Sequence, residues 1–119
     1  MKPGMFYLFP NQNYLDLRPY QSGYADNAPN ASFGPAVRNH YLFHYVISGA
    51  GSLTSNAPDG TEYHFHIHSG QGFMIFPNQI TTYYADQQYP WEYVWIEFDG
   101  MLAPEILRLS GLSIESPIY

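Results

Sequence analysis

The sequence predicts an all-β domain, a small sandwich or barrel followed by one short helix near the C-terminal end. Three observations support this fold class. Short runs rich in β-branched and aromatic residues follow one another from Tyr41 to Phe98, separated by Gly, Pro or polar turns. Aromatic residues make up 18% of the chain, and 12 of them are Tyr. After Gly100 the apolar residues recur at helical spacing instead.

The strands can be placed one by one. A chain of 119 residues fits one domain, which buries roughly 65% of the surface of the unfolded chain. The triplet Gly49-Ala50-Gly51 ends the first strong strand, and Pro58-Asp59-Gly60 marks a turn inside the loop 55–60. The predicted strands are Tyr41–Ser48, Thr61–His68, Phe73–Phe76, Ile80–Ala85 and Glu92–Phe98.

The last part of the chain predicts a helix. Leu102, Ile106 and Leu109 recur at helical spacing. Pro104 suits the first helical turn, and Gly111 suits the C-terminal cap. We therefore expect three regions: an N-terminal arm with largely irregular edge strands (1–32), a barrel (33–100), and the helix with the start of a linker (101–119).

Charge and composition exclude several classes of function. Ten acidic against four basic residues give a net charge of −6, and no basic stripe is visible, so this domain is not expected to bind nucleic acid directly. Without cysteine, neither a disulfide framework nor a thiolate metal site is possible. Residues 1–10 lack the apolar core of a signal peptide, and no run approaches the ~20 apolar residues of a membrane span. We expect a cytoplasmic protein without membrane contact.

Four segments within residues 33–112 carry a family resemblance: FGPAVR from Phe33, HYLFHYVISGAG from His40, GQGFMIFP from Gly70 and PWEYVWIEFDG from Pro90. Together they resemble the N-terminal sensor domain of AraC/XylS-type transcription regulators, particularly members that control sugar uptake and metabolism. The resemblance implies a cupin-like double-stranded β-barrel, or jelly roll, with a short C-terminal helix. It also implies a small-molecule effector, a homodimer, and DNA contact only through a C-terminal helix-turn-helix domain beyond Tyr119.

The same frame implies a barrel without a metal. Metal-binding cupins place two His and a Glu before the first glycine turn and a further His after the second-motif proline. These slots hold no plausible ligand set for a transition metal here, since they fall on Pro35 or Ala36, Val37 or Arg38, Leu42, and Thr82. Neither Ser52 nor Ser110 has a His/Asp partner at a recognisable spacing. We expect no cofactor and a binding role rather than an enzyme.

The inward face of the barrel provides the expected ligand site. Side chains alternate along a strand, and the frame places His44 and Tyr84 inward with Leu42 and Thr82. The resemblance implies Tyr84, Tyr93 and Trp95 as pocket residues. The indole of Trp95 would stack on the apolar face of a pyranose, while polar groups bond its hydroxyls. The full predicted ligand-binding set is Arg38, His44, Tyr84, Tyr93, Trp95 and Glu97. The alternative face of the last strand, with Val94, Ile96 and Phe98 in the core, remains open.

Two other functions compete with this one. A stand-alone metal-binding cupin enzyme would use the histidine ladder, defined as His64, His66 and His68, although the inward residues are expected to be Phe65 and Ile67. A dimerisation module with a filled core would need no cavity at all. Dimer contacts are expected from the outer face of the first strand (Tyr41, Phe43 and Tyr45) and from the apolar face of the helix.

Overall fold

A computed structural model describes residues 17–119 and the backbone of the strand Met5–Leu8. In these residues nine strands precede one helix: β1 (Met5–Leu8), β2 (Arg18–Asp26), β3 (Ser32–Val37), β4 (Tyr41–Ser48), β5 (Ala50–Asn56), β6 (Glu62–His68), β7 (Gly72–Ile75), β8 (Ile80–Ala85), β9 (Glu92–Asp99) and α1 (Ala103–Leu109). The prediction of an all-β domain with one short C-terminal helix is confirmed. None of the helical residues in this part of the chain forms a segment long and apolar enough to cross a membrane.

The strands form two antiparallel sheets that enclose one core. The five-stranded sheet has the order β1-β2-β9-β4-β7, and the four-stranded sheet has the order β3-β8-β5-β6. Leu42 and Val46 of β4 face Leu53 of β5, Ile67 of β6 and Tyr83 of β8 across the space between the sheets. Strands β4, β5, β6 and β8 thus each turn one face of alternating side chains to a shared interior, which is the arrangement of a jelly roll.

Strand β4 has the predicted bounds and the predicted faces. Leu42, His44 and Val46 are buried, whereas Tyr45 and Ile47 are exposed on the other side. Strands β6 to β9 lie within one or two residues of their predicted bounds.

Strand β4 ends before Gly49-Ala50-Gly51 as predicted, but strand β5, which begins within this triplet, was not predicted. Only Gly49 is a turn residue with a positive φ of 76°, and β5 begins at Ala50. Gly51 lies inside β5, where a Cβ would overlap the ring of Trp91. This glycine is present because the Trp91 ring packs against the backbone, not because the chain turns there. The neighbouring sequence alone does not distinguish these two reasons for a glycine.

The expectation of largely irregular structure before residue 33 was wrong for β2. This nine-residue strand lies between β1 and β9, with Gln21 opposite Glu97 and Ala25 opposite Tyr93. Its sequence, RPYQSGYAD, has little strand propensity, so the strand depends on its two neighbours. The remainder of the predicted arm, residues 1–4 and 9–16, lies outside the described residues, and the division into arm, barrel and linker remains a prediction.

Helix α1 begins and ends as predicted but turns a different face to the protein. Pro104 lies in its first turn, and Gly111, with φ 78°, follows its C-cap while the Leu112 N–H donates to the carbonyl of Leu107 at 3.0 Å. The buried helical residues are Ala103 and Leu107. The predicted stripe of Leu102, Ile106 and Leu109 is exposed. A shift of one residue rotates a helical stripe by about 100°.

The last three residues extend the five-stranded sheet. The backbones of Gly72 and Tyr119 exchange two hydrogen bonds of 3.2 and 2.8 Å, and the Met74 N–H donates to Pro117 at 3.0 Å. This segment lies along the free side of β7, so the sheet does not end there with unpaired backbone groups.

Candidate functional site

A cavity of about 300 Å³ opens between the two sheets. This volume is at the small end of the range of small-molecule pockets. Aromatic rings form most of its wall, and a few polar groups converge on it. The lining residues are Gln21, Tyr24, Ala25, Phe33, Arg38, Leu42, His44, Tyr83, Tyr93, Trp95 and Glu97.

Strand β9 turns its odd-numbered residues towards the cavity. Tyr93, Trp95 and Glu97 line it, while Val94 and Ile96 are exposed on the opposite face. The register with β4 explains this parity, because Trp95 pairs with the inward His44 and directly opposed residues share a face. The alternative core of Val94, Ile96 and Phe98 is therefore wrong.

The inward assignment of Tyr84 was wrong, and Tyr83 takes that place. Tyr83 is only 5% exposed and lines the cavity, whereas Tyr84 is 42% exposed on the outer face of β8. Counting from Pro77 took Thr82 as inward, but β8 turns Thr81 and Tyr83 to the core, and Tyr83 pairs with the buried Leu53 of β5. A slip of one residue moves every side chain of a strand to its other face.

The carboxylate of Glu97 has polar partners inside this aromatic wall. The amide Nε2 of Gln21 donates to Glu97 Oε1 at 3.2 Å, and His40 Nδ1 lies 3.5 Å from the same oxygen. The His40 ring in turn stacks on Tyr20 at 3.9 Å between centroids. These contacts offset the desolvation that a carboxylate suffers in an apolar cavity. Sequence analysis missed both partners because they depend on how β2 and the turn before β4 meet β9.

The imidazole of His44 lies deepest in the site and is 1% exposed. It stacks on Phe73 with a centroid distance of 4.3 Å and meets Tyr83 and Tyr93 edge-on at 4.7 and 4.8 Å. Burial, with a smaller contribution from the charge of Arg38, lowers the pKa of His44 to about 3. The ring is therefore neutral near pH 7. Its Nδ1 has no hydrogen-bond partner among the described residues.

Arg38 and the two buried tyrosines complete the polar part of the wall. Arg38 lines the cavity as predicted, and its Nε is buried without a partner among the described residues. Burial raises the pKa of Tyr83 and of Tyr93 above the ordinary tyrosine value. Both phenols therefore keep their protons and remain able to donate hydrogen bonds.

Two further aromatic residues shape the cavity. Phe33 of β3 lines it and stacks on Tyr83 at 5.3 Å. Trp91 is fully buried beside it, stacks on Phe73 at 5.4 Å, and donates from Nε1 to Asn27 Oδ1 at 3.1 Å. The alternative of a filled core without a cavity does not hold, since Trp91 and Phe73 fill one part of the barrel and a hollow remains beside them. The available signal for Trp91 was its position two residues before Tyr93 and four before Trp95, which places all three on the same side of an extended chain.

The histidine ladder faces solvent. His64, His66 and His68 are exposed, while Ile67 is buried and Phe65 packs against the core, as expected. His64 Nε2 lies 2.8 Å from Glu62 Oε1, and its Nδ1 lies 3.2 Å from Thr54 Oγ1. Across residues 17–119, no group of three or more His, Asp or Glu side chains is placed to hold a metal ion.

Comparison with known families identifies a sensor-type domain. The sequence model of the AraC-like ligand binding domain matches residues 18–118. The chain is 40% identical over 82 residues to the Msm operon regulatory protein of Streptococcus mutans, covering 68% of this chain and 27% of that protein. It is 29% identical over 92 residues to the raffinose operon transcriptional regulatory protein RafR of Pediococcus pentosaceus, covering 76% and 31%. The chain thus spans less than a third of the length of these relatives. The resemblance to AraC-type sensor domains is confirmed.

Solved structures of similar shape are cupins. An oxalate decarboxylase of Bacillus subtilis superposes with a TM-score of 0.61 over 97% of this chain and 41% of that chain, at 15% identity. The protein YhaK of Escherichia coli gives a TM-score of 0.65 over 82% of this chain and 45% of that chain, at 13% identity. Identities this low carry information on the fold alone, and they confirm the predicted cupin-like barrel.

Proposed function

Because this chain belongs to the family of AraC-like ligand-binding domains, we propose that it is the effector-binding and dimerisation domain of a cytoplasmic transcription regulator. The effector is a sugar or glycoside bound in the cavity. The domain signals to a DNA-binding helix-turn-helix domain that this chain does not contain. One observation carries the proposal: Tyr93, Trp95 and Glu97 turn together into a hollow of about 300 Å³.

The chemistry of the wall suits a polyhydroxylated ring. A pyranose has an apolar face of C–H groups, for which the indole of Trp95 is a flat partner, and a rim of hydroxyls. The polar side chains around the same space offer both hydrogen-bond donors and acceptors to that rim. They are Arg38, His44, Tyr83, Tyr93 and Glu97. The name of one relative, a raffinose operon regulator, supports a sugar as the ligand class.

Signalling requires that the sugar bind one state of the domain more tightly than another. We propose that the N-terminal arm and the dimer contacts are the elements that differ between the two states. A binding role without catalysis is part of the proposal, and two relatives named as operon regulators support it.

Calorimetric titration with a panel of mono-, di- and trisaccharides tests the proposal. We expect at least one to bind the wild-type domain and the Trp95→Ala variant to lose that binding. Trp91 gives no contact to the ligand in this proposal, so sugar-induced quenching of indole fluorescence should vanish with Trp95 alone. Tyr84→Ala, on the outer face of β8, is the matched control and should bind normally. Absence of binding by every sugar in the panel would remove the sugar from the proposal.

Dimerisation is assigned to the outer face of the five-stranded sheet. Of the predicted contacts, Tyr41 and Phe43 are half-buried within the subunit, where Tyr41 stacks on Phe98 and Phe43 packs against Tyr119. The exposed apolar side chains of this face are Tyr45, Ile47, Val94 and Ile96. A contiguous apolar patch of this kind is typical of an interface.

Sedimentation velocity distinguishes this interface from a monomeric domain. We expect the wild-type chain to associate with rising concentration and Val94→Glu to remain monomeric. Leu109→Glu on α1 is a control for the helix face, which is also exposed and apolar. If Leu109→Glu alone abolishes association, the helix and not the sheet forms the interface.

A further inference from the structure

Two residues that line the cavity each carry a buried side-chain atom without a partner among the described residues: Arg38 Nε and His44 Nδ1. Buried polar groups in folded proteins are nearly always hydrogen-bonded, so an exception needs an explanation. A third such atom, Ser55 Oγ, does not line the cavity. That two exceptions share one cavity points to a bound group that supplies the missing partners.

The orientation of the His44 ring is fixed by its neighbours. Phe73 lies parallel to it, with an angle of 5° between the two planes, and Tyr83 and Tyr93 close on its edges at 61° and 67°. Tilting the imidazole out of this plane would break the stack on Phe73, whereas a half-turn about the Cβ–Cγ bond keeps the plane and exchanges Nδ1 with Cδ2. The neighbours therefore hold the plane of the ring, and with it its polar edge, for a ligand atom.

A neutral imidazole has one N–H donor and one nitrogen lone pair. A hydroxyl can accept a hydrogen bond from the first or donate one to the second. Burial keeps His44 in this neutral form, since its pKa falls to about 3. The charged side chains in the wall are Arg38 and Glu97, whose formal charges cancel. An uncharged ligand with several hydroxyls therefore meets no net charge in this wall.

We infer that His44 is a specificity-determining residue, which bonds one hydroxyl of an uncharged sugar at the inner end of the cavity beside Arg38. The inference rests on the proposed function and adds the side chain that distinguishes one sugar from another. A buried site built to bond a hydroxyl rejects an analogue that lacks it, because its own polar atom is then left unpaired. The sugar that lacks the relevant hydroxyl should bind roughly 10- to 100-fold more weakly.

The test uses the tightest-binding sugar of the panel and its monodeoxy analogues. In the wild-type domain, we expect one analogue to show this 10- to 100-fold loss. In His44→Phe, which keeps a ring against Phe73, that analogue and the parent sugar should bind alike. In His44→Asn, which restores a side-chain donor and acceptor, part of the discrimination should return.

The outcomes separate the two claims. If no sugar binds the wild-type domain, the proposed function fails. If a sugar binds and His44→Phe still discriminates among all the deoxy analogues as the wild type does, the inference is overturned while the proposed function stands. Should the variants not fold, the nitrogen chemical shifts of His44 in the histidine-labelled wild type decide, because a sugar that bonds Nδ1 must shift its resonance and an unchanged resonance refutes the contact.

Discussion

The buried imidazole of His44 makes the stability of the fold depend on pH. The pKa of a histidine in the unfolded chain is 6.5, and in the folded domain burial lowers it to about 3. Because the folded-state pKa is the lower one, the unfolded chain binds a proton first as the pH falls. Stability from this residue is therefore fully present above pH 6.5 and is lost progressively down to about pH 3.

The magnitude follows from the two pKa values. One pKa unit corresponds to about 1.4 kcal/mol, so the free energy of unfolding should fall by about 2 kcal/mol between pH 7 and pH 5. Solvent does not screen this contribution to the free energy of unfolding, since the side chain is fully buried. Against a total stability of about 5 to 15 kcal/mol for a domain, this loss is large.

Urea unfolding followed by tryptophan fluorescence at pH 7, 6 and 5 measures the effect, with His44→Gln as the non-titrating control. The other histidines and the carboxylates are common to the wild type and the variant. The difference between the two proteins in how the free energy of unfolding changes with pH therefore isolates the contribution of His44. We expect the wild type to lose about 2 kcal/mol more than the variant over this range. Equal slopes would refute the reasoning, as would a proton NMR titration in which the His44 ring protonates near pH 6.5 in the folded domain.

Three further predictions concern packing and the cavity. Trp91→Ala should lower the free energy of unfolding by about 3 to 5 kcal/mol, because it removes a fully buried ring; urea denaturation measures this, and a loss below 1 kcal/mol contradicts it. Gly51→Ala should cost about 1 to 3 kcal/mol through overlap with the Trp91 ring. Ser52→Ala, its neighbour, should change stability by less than about 0.5 kcal/mol. Tyr83→Phe should weaken sugar binding about fivefold, measured by calorimetry, while Tyr84→Phe should leave it unchanged. Equal effects of the two changes would contradict the assignment of Tyr83 to the inner and Tyr84 to the outer face of β8.

Alternation along single strands was predictable because it is a local property. Together with the family resemblance, which chose between the two faces, it placed His44, Tyr93, Trp95 and Glu97 in the interior, and all four line the cavity. It failed at Tyr84, although the bounds of β8 were predicted, because the inward face of that strand follows from its register with β5, in which Tyr83 pairs with the buried Leu53. A register between distant strands leaves no pattern inside the strand itself.

The partners of the site residues were not predictable from the sequence. Gln21 reaches Glu97 only because β2 pairs with β9 across 76 positions of the chain. Asn27 meets Trp91 for the same reason, at a separation of 64 positions. Strand β2 itself shows weak β-propensity, so neither its existence nor its register has a local signal. The helix stripe was misplaced because seven residues give too short a repeat to fix one face.

The exposed histidines have a consequence for the behaviour of the domain in concentrated solution. Strand β6 is the last strand of its sheet and, within the described residues, pairs only with β5. A bare strand edge is a template on which other chains aggregate, and bulky polar side chains along it work against that pairing. Glu62 and the three exposed histidines lie on this strand, so we expect its polar side chains to oppose pairing with a second chain, independent of any metal.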